Sequence, residues 1–327
     1  MITRRTGLAL AGFLLTLPMA GAVSAQGYPE NDITHIMPWS AGGGTDTVMR
    51  TFMNFAEQQL GVGINTQNIT GAQSGVGTMR LMRSRADGYT IGSLTWDSVI
   101  TVPYYNLVPG YDTSDLTYIA SVTIHPTVLA VAADSPFQTL GDFVAAAAEA
   151  PGELSISNVG LGGVWHLPAL DFAAASGIEV NHVPYPEGSG PQREALLSGE
   201  TDAASVNLAA VFPAVQAGQA RVLGVMDSQR SPFLPDVPTL QEEGYDVVWG
   251  SFRVVAAPAG IEEEQVQALE SAFAAVFEME EFQQRAEETA MGAVYMNSEE
   301  TTAYIEASQA KAFALIDSLV EQGILER

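Results

Sequence analysis

Two short glycine-rich stretches are the parts of this chain whose residue types and spacing could do chemistry. They are residues 40–46 (SAGGGTD) and 158–163 (NVGLGG), and each lies between a strand-like and a helical segment. The first N–H groups of a helix lack partners and carry about half a positive charge, and glycine lets a ligand approach that backbone closely. Both stretches could bind an anion without a basic side chain, although glycines at such places also serve simply to make tight turns.

Other chemistries lack their sequence signature. The chain has no cysteine, which excludes a thiolate metal site, a cysteine nucleophile and a disulfide framework. No serine has glycines two residues before and after it, and no Lys-Ser or Lys-Thr follows either glycine stretch, so a nucleophile elbow and a Walker-type phosphate loop are missing. The four histidines are dispersed: His35, His125, His166 and His182. We therefore expect no enzymatic activity, no cofactor and no metal site.

Alternating strand and helix patterns place the glycine stretches at the carboxyl ends of strands. The strand-like runs are residues 33–37, 90–94, 128–132 and 155–159. Helical spacing of apolar residues follows both glycine stretches, and Thr45 or Asp46 is the expected N-cap of the first helix. This alternation predicts an α/β fold with largely parallel sheets, in which ligands bind at the carboxyl ends of strands.

The first 25 residues have the pattern of an export signal. Arg4 and Arg5 precede an apolar run, and Val23-Ser24-Ala25 fits a small-residue cleavage site. We predict a signal peptide over residues 1–25 and a mature protein in the periplasm that begins at Gln26. The paired arginines fit a twin-arginine signal as well as an ordinary one, so the export route stays open.

The chain is strongly acidic. Its 13 Lys and Arg face 38 Asp and Glu, which gives a net charge of −25. This balance excludes a basic surface for nucleic acid. A solvated acidic coat is the simplest interpretation, and the presence of one lysine, Lys311, beside so many acids also suggests a saline habitat in which ions screen self-repulsion. A length of 327 residues suits two domains.

Several longer stretches follow one another in order along the whole predicted mature chain. They include YPENDITHIMPWSAGGGTD, NITGAQSGVGT, ADGYTIG, NVGLGGVWHL, HVPYPEGSG, LLSGETDAASVN and RSPFLPDVPTLQEEGYDVVWGSFRVVAAPAG. In these stretches the chain resembles the extracytoplasmic solute-binding proteins of tripartite tricarboxylate transporters, the Bug family.

The resemblance implies a periplasmic binding protein-like type II fold, or Venus flytrap, with two α/β domains and a hinge that the chain crosses twice. Domain 1 would combine residues 26–125 with residues 226–327, and domain 2 would be residues 126–225. Such a protein would be a monomer. It would capture a small carboxylate (a di- or tricarboxylate, hydroxy acid or aromatic acid) by hinge closure and deliver it to the membrane permease subunits of the transporter.

The resemblance also implies where the ligand binds. The two glycine stretches, the loop after the strand at 90–94 and the region of Asn207 would line the pocket. Arg253 stands where some members have Trp-Arg-Gly and is the best candidate for a charged contact. The candidate ligand-binding residues are Ser40, Ala41, Gly42, Gly43, Gly44, Thr45, Asp46, Thr95, Trp96, Asp97, Asn158, Gly160, Gly162, Gly163, His166, Asn207 and Arg253.

Several of these residues have a second interpretation. Asp46 shapes the first loop or faces the ligand. Trp96 and Trp165 are core residues or an aromatic platform, and His166 is structural or contacts the ligand. Asp97, if it faces the cleft, favours a ligand that carries a hydrogen-bond donor.

Two other functions stay open on sequence alone. A binding protein of this kind could present its ligand to a sensor kinase instead of a permease, and neighbouring permease genes would separate these two. A secreted enzyme that acts on carboxylates is a more distant alternative, and product formation would reveal it.

The acidic composition predicts that salt stabilises the fold, because added ions screen repulsion among surface carboxylates. We expect the free energy of unfolding by urea to rise between low and molar sodium chloride. Unfolding curves measured across this range test the idea, and a free energy that does not change with salt would contradict it.

Overall fold

The computed structural model describes residues 27–160, 162–185 and 188–325. The predicted signal peptide lies outside them. Nine strands form one sheet in these residues: β1 (Ile33–Met37), β2 (Ile64–Asn68), β3 (Thr90–Thr95), β4 (Leu116–Ala132), β5 (Ser155–Asn158), β6 (Asn181–Pro184), β7 (Ala203–Asn207), β8 (Ala220–Met226) and β9 (Gly250–Pro258).

Eleven helices surround the sheet in the described part of the chain. They are α1 (Gly44–Leu60), α2 (Gly75–Met82), α3 (Trp96–Val99), α4 (Thr101–Tyr104), α5 (Leu140–Glu149), α6 (His166–Ser176), α7 (Ser189–Ser198), α8 (Leu208–Gln216), α9 (Glu263–Phe277), α10 (Glu280–Glu288) and α11 (Ser298–Glu321), with a short 3-10 turn at Thr113–Asp115. The alternation of strands and helices confirms the predicted α/β class. None of the described helices is long and apolar enough to cross a membrane.

The strand order is β2-β1-β3-β9-β4-β7-β5-β6, and β8 also pairs with β4. The pairs β1/β2, β1/β3, β5/β6 and β5/β7 are parallel, whereas β9 is antiparallel to both β3 and β4. We call β1, β2, β3 and β9 the first sheet half, and β5 to β8 the second sheet half. The two glycine stretches follow β1 and β5, so each lies at the carboxyl end of a strand, as the sequence predicts.

The long strand β4 belongs to both sheet halves. It pairs with β9 from Leu116 to Pro126 and with β7 and β8 from Thr127 onward. The sequence pattern indicates only the last five of its 17 residues as a strand. One continuous strand therefore carries the chain from one half to the other.

Two large apolar clusters hold these elements. In the first sheet half, Phe52 of α1 packs at 5.4 Å from Phe273 and 5.9 Å from Phe282, measured between ring centroids. A second cluster includes Phe252 from the first half, Phe172 from the second and Ile316 from α11. The long final helix thus packs on residues of both sheet halves.

The predicted N-cap of α1 is wrong. The helix begins at Gly44, and Gly43 holds the N-cap position without any capping side chain. Asp46 does not cap the helix because its carboxylate is engaged elsewhere. One of its oxygens accepts a hydrogen bond from the N–H of Gly42, four residues earlier, at 2.9 Å.

All four histidines are held in their neutral form by the fold. Burial lowers the pKa of His35 and of His166 to about 3, and it also lowers the pKa values of His125 and His182 below their ordinary value of 6.5. Burial has the opposite effect on Asp97, whose pKa rises from 3.8 to about 6. The unfolded chain therefore binds more protons than the folded chain just below neutral pH.

We predict a loss of stability as the pH falls from 6.5 to 5. Each histidine contributes stability that is complete above its unfolded pKa and lost below it, with a slope of about 1.4 kcal/mol per pH unit. Protonation of folded Asp97 offsets roughly one proton. The three most strongly shifted histidines, His35, His125 and His166, therefore leave a net slope of about two protons, to which His182 adds in the same direction. Urea unfolding at several pH values measures it. A stability that is flat or rising on acidification would contradict the histidine assignment.

Candidate ligand-binding site

The register of three strands gathers polar side chains on one face of the sheet. Arg253 of β9 lies opposite Thr95 of β3 on one side and opposite Thr123 of β4 on the other. His125 lies opposite Ser251 two positions further along the same ladder. Directly opposed residues share a face, and so do residues two apart in a strand. We call these five residues, together with Thr127, the polar face.

Arg253 is a buried cation without an acidic partner. Its side chain donates from Nη1 to Thr123 Oγ1 and from Nε to Thr45 Oγ1, both at 3.2 Å. None of the ion pairs found in the described residues includes it. Burial lowers its pKa to about 10, so the guanidinium is still charged at neutral pH. An uncompensated buried charge costs about 3–5 kcal/mol, and an anionic ligand would compensate it.

The first glycine loop lies beside this cation and contributes Thr45. The N–H of Gly43 donates to Ser40 O at 3.2 Å, and the N–H of Gly42 donates to Asp46. These two amides are engaged within the loop in this structure, and their contact with a ligand stays a prediction. The first turn of α1, which begins at Gly44, has no capping side chain, and the residues from Ser40 to Gly44 are exposed.

Asp46 organises the first glycine loop through its hydrogen bonds. Besides Gly42, its carboxylate accepts hydrogen bonds from Arg50 Nε at 2.9 Å and from Asn68 Nδ2 at 2.8 Å. Although burial acts in the opposite direction, these hydrogen bonds hold the pKa of Asp46 below its ordinary value. Arg50 pairs with this buried acid and not with a surface acid.

The second glycine stretch uses its amides internally. The N–H of Gly160 donates to Asn158 Oδ1 at 2.9 Å, that of Gly162 to His166 Nδ1 at 2.9 Å, and that of Gly163 to Gly160 O at 3.1 Å. These three amides are therefore hydrogen-bonded to protein atoms in this structure, and their contact with a ligand stays a prediction. His166 has the structural role, because its Nδ1 is occupied by the turn.

Gly162 has a further reason to be glycine. Its φ is +65°, a left-handed conformation that favours glycine. A Cβ atom there would also collide with the hydroxyl of Tyr105, which follows α4. The second glycine stretch thus lies directly against the segment that follows β3.

The second sheet half presents two amide groups. The Asn158 side chain is 1% exposed, and its Nδ2 finds no partner in the described chain. Asn207 Oδ1 accepts the N–H of Ala210 at 2.7 Å and caps α8. Because both Oδ1 atoms accept backbone N–H groups, each asparagine keeps its NH₂ group for another acceptor. Asn207 also lies opposite Thr127, which connects it to the polar face.

The loop after β3 joins the two sheet halves and does not add to the polar face. Trp96 packs on Trp249 and Phe252, and Trp165 is 6% exposed in the same core cluster, so neither forms a platform beside Arg253. Phe252 is on the opposite face of β9 because neighbours in a strand alternate. Asp97 accepts a hydrogen bond from Thr101 Oγ1 at 2.8 Å and another from the backbone of Val164.

Sequence reasoning missed Thr123, His125, Thr127 and Ser251. A signal for them exists: polar residues alternate with other types in TIHPT at 123–127 and in SFR at 251–253, and alternation is typical of a strand with one polar face. These residues lie beside Arg253 because of the register between β4 and β9. The periodicity of a sequence does not reveal which residues of two strands pair.

Comparison with known proteins identifies the family of the chain. A family model described as "Tripartite tricarboxylate transporter family receptor" matches residues 48–320. The chain belongs to this family. It is also similar to BugT of Bordetella pertussis, with 33% identity over 257 residues, or 77% of this chain and 78% of BugT. The predicted resemblance to the Bug family is thereby confirmed.

Solved structures of this receptor family share the fold. A TctC solute binding protein from Polaromonas has a TM-score of 0.76 and 30% identity, covering 89% of this chain and all of that one. An R. palustris protein solved with adipate has a TM-score of 0.78 and 26% identity, covering 89% of this chain and 97% of that one. These likenesses confirm the two-domain α/β periplasmic binding protein fold of type II for this receptor.

We predict that Arg253→Met does not destabilise the ligand-free receptor. Methionine keeps an extended side chain and removes a buried charge that lacks an acidic partner, so the free energy of unfolding should stay the same or rise by up to about 3 kcal/mol. Urea unfolding of the ligand-stripped protein measures this.

The matched control is Arg230→Met, which removes an exposed ion pair with Glu242. This control should change stability by less than about 1 kcal/mol. A loss of more than about 2 kcal/mol in Arg253→Met would show instead that the guanidinium stabilises the fold.

Proposed function

We propose that this receptor captures a small carboxylate between its two domains and delivers it to the membrane permease subunits of a tripartite transporter. The observation that carries the proposal is the buried, charged Arg253, which has hydroxyl partners and no acidic partner among the described residues. A carboxylate would supply the missing negative charge. The membership of a tripartite transporter receptor family supports delivery to a permease.

We assign one carboxylate of the ligand to the first domain, between Arg253, Thr45 and the start of α1. The guanidinium can donate to it, and the uncapped first turn of α1 adds N–H groups and a favourable dipole. Charge-assisted hydrogen bonds contribute about 1.5–3 kcal/mol each, so three or four of them approach the roughly 8 kcal/mol of a micromolar complex before ordering costs.

We propose that the domains comprise residues 26–125 with 226–327, and residues 126–225. The change of partner strand in β4 between Pro126 and Thr127 supports the first boundary. At the second crossing, the N–H of Trp249 donates to Met226 O, and Trp249 O accepts from Thr127. Three chain segments therefore meet at one place, where a small rotation would open or close the cleft.

Capture would proceed by hinge closure, as a monomer in the periplasm and without turnover of the ligand. The closeness of Gly162 to Tyr105 and of Val164 to Asp97 supports closure, because these pairs join segments of the two proposed domains. The export signal pattern of residues 1–25 supports the location. The adipate in the R. palustris structure supports a carboxylate as the ligand class, although 26% identity does not carry ligand identity to this chain.

We predict that carboxylates stabilise the ligand-stripped mature protein against heat. A ligand at 100 times its dissociation constant adds about 2.7 kcal/mol, which shifts the melting temperature by several degrees. The panel contains di- and tricarboxylates, hydroxy acids and aromatic acids in moderate salt, and calorimetry gives the affinity of each compound that shifts the melting temperature.

Arg253→Met should lower the affinity for that carboxylate at least about tenfold, because it removes one or more charge-assisted hydrogen bonds. Arg230→Met removes the same charge from the surface and should bind as the wild type does. If no carboxylate binds, or if Arg253→Met binds with unchanged affinity, the proposed role of Arg253 as the ligand's counter-charge is wrong.

A further inference from the structure

The polar face continues beyond Arg253 with side chains that have no partner. His125 Nε2, Ser251 Oγ and Thr127 Oγ1 are all buried and find no hydrogen-bond partner in the part of the chain that the structure describes. Their residues are 1%, 7% and 0% exposed. Buried polar groups are nearly always hydrogen-bonded in folded proteins. Three unpaired groups on one face beside an unpaired cation therefore indicate a polar ligand.

These groups form a row that leads from one domain toward the other. Thr123, His125 and Thr127 occupy alternate positions of β4, so successive side chains are about 6.6 Å apart along the strand. Ser251 lies opposite His125. The row begins at the threonine bound to Arg253 and ends opposite Asn207 of the second domain. Its total length of about 13 Å suits a short linear molecule that lies along the strand.

The chemistry of the row matches hydroxyl groups. Serine and threonine hydroxyls both donate and accept, and a neutral imidazole offers a donor or an acceptor according to its tautomer. Burial and the charge of Arg253 keep His125 neutral by lowering its pKa well below 6.5. A methylene pairs with none of these groups and a carboxylate can only accept from them, whereas an alcohol can donate to them as well as accept from them.

The far end of the row offers neutral donors. Asn158 and Asn207 use their Oδ1 atoms for the N–H groups of Gly160 and Ala210, which leaves their NH₂ groups available for another acceptor. Asn158 Nδ2 is buried without a partner in the described residues. An oxygen acceptor on the ligand, in a carboxylate or an alcohol, would satisfy it.

We propose that the ligand is a linear polyhydroxylated carboxylate, of the sugar-acid class, with one carboxylate on Arg253 and its hydroxyl groups along His125, Ser251 and Thr127. This inference rests on the proposed function and specifies the substrate class of the same site. A plain alkyl dicarboxylate would place methylenes against the unpaired polar groups. A tricarboxylate would bring three charges to a polar face with one cation.

An amino acid ligand is not favoured by the same groups. Asp97 is the acid that the sequence suggests for an ammonium contact, and its carboxylate is already bound by Thr101 and by the backbone of Val164. It also follows Thr95 at the end of β3 and is not on the polar face.

The decisive measurement compares glucarate with adipate on the ligand-stripped mature protein by calorimetry in moderate salt. Both are six-carbon dicarboxylates of the same charge, and they differ only in the hydroxyl groups on the inner carbons. We expect glucarate to bind at least about tenfold more tightly than adipate, because adipate leaves the buried hydroxyls and the imidazole unpaired. Gluconate, with one carboxylate, tests whether the acceptor at the Asn158 end must be charged.

Two variants test the row itself. Thr127→Val and Ser251→Ala each remove one hydroxyl with little change of volume, and each should reduce the ratio of glucarate to adipate affinity several-fold while adipate binding stays the same or improves. Thr51→Val is the matched control, since its hydroxyl bonds only to Thr47 O on the exposed side of α1. Thermal unfolding confirms that each variant is folded before binding is compared.

The outcomes separate this inference from the proposed function. If adipate or another unhydroxylated carboxylate binds as tightly as glucarate or more tightly, the sugar-acid assignment is overturned while carboxylate capture stands. If Thr127→Val and Ser251→Ala leave the affinity ratio unchanged, the row does not contact the ligand and the inference also fails. If no carboxylate binds, the proposed function itself fails.

Discussion

A guanidinium that is buried without an acidic partner is the constraint on which the rest of the site depends. Arg253 can remain in the sheet because hydroxyl groups of Thr123 and Thr45 accept its hydrogen bonds, and these two hydroxyls come from β4 and from the first turn of α1. Hydroxyl partners lower the cost of burial without cancelling the charge. The fold therefore holds the cation ready for an anion, and the free protein bears the cost of this arrangement.

The shared strand β4 extends the polar face from Arg253 in the first sheet half to the second sheet half. Because the strand pairs with both sheet halves, its polar residues begin beside Arg253 and end beside Asn207. A ligand that binds along this face would contact both domains at once. The opposite face of β9 carries Phe252, which packs in the apolar cluster shared by the halves. One side of the strands thus supports the hinge, and the other side carries the proposed ligand site.

Local patterns predict much of the fold but only part of the site. The strand at 33–37, the glycine loops and the importance of Arg253 follow from the sequence and the family resemblance, because turns, strand periodicity and motifs are local. The hydrogen bonds of the Gly160 and Gly162 amides do not follow from local patterns, because they depend on the orientations of the Asn158 and His166 side chains. The polar face requires the register of strands more than 100 residues apart in sequence, as in the pairing of Thr123 with Arg253.

The glycine loops and the strands have different roles in the proposed site, and this difference determines which of them sets the ligand specificity. The amides of Gly160, Gly162 and Gly163 already have acceptors without a ligand, and Gly162 lies against Tyr105 of the other proposed domain. Recognition then falls to side chains at alternate strand positions, such as Thr127 and Ser251, whose backbones are held by the sheet ladder. A substitution there changes the hydrogen-bonding chemistry of the polar face while the backbone bonds persist. One scaffold can thus accept different carboxylates without any change in its glycine loops.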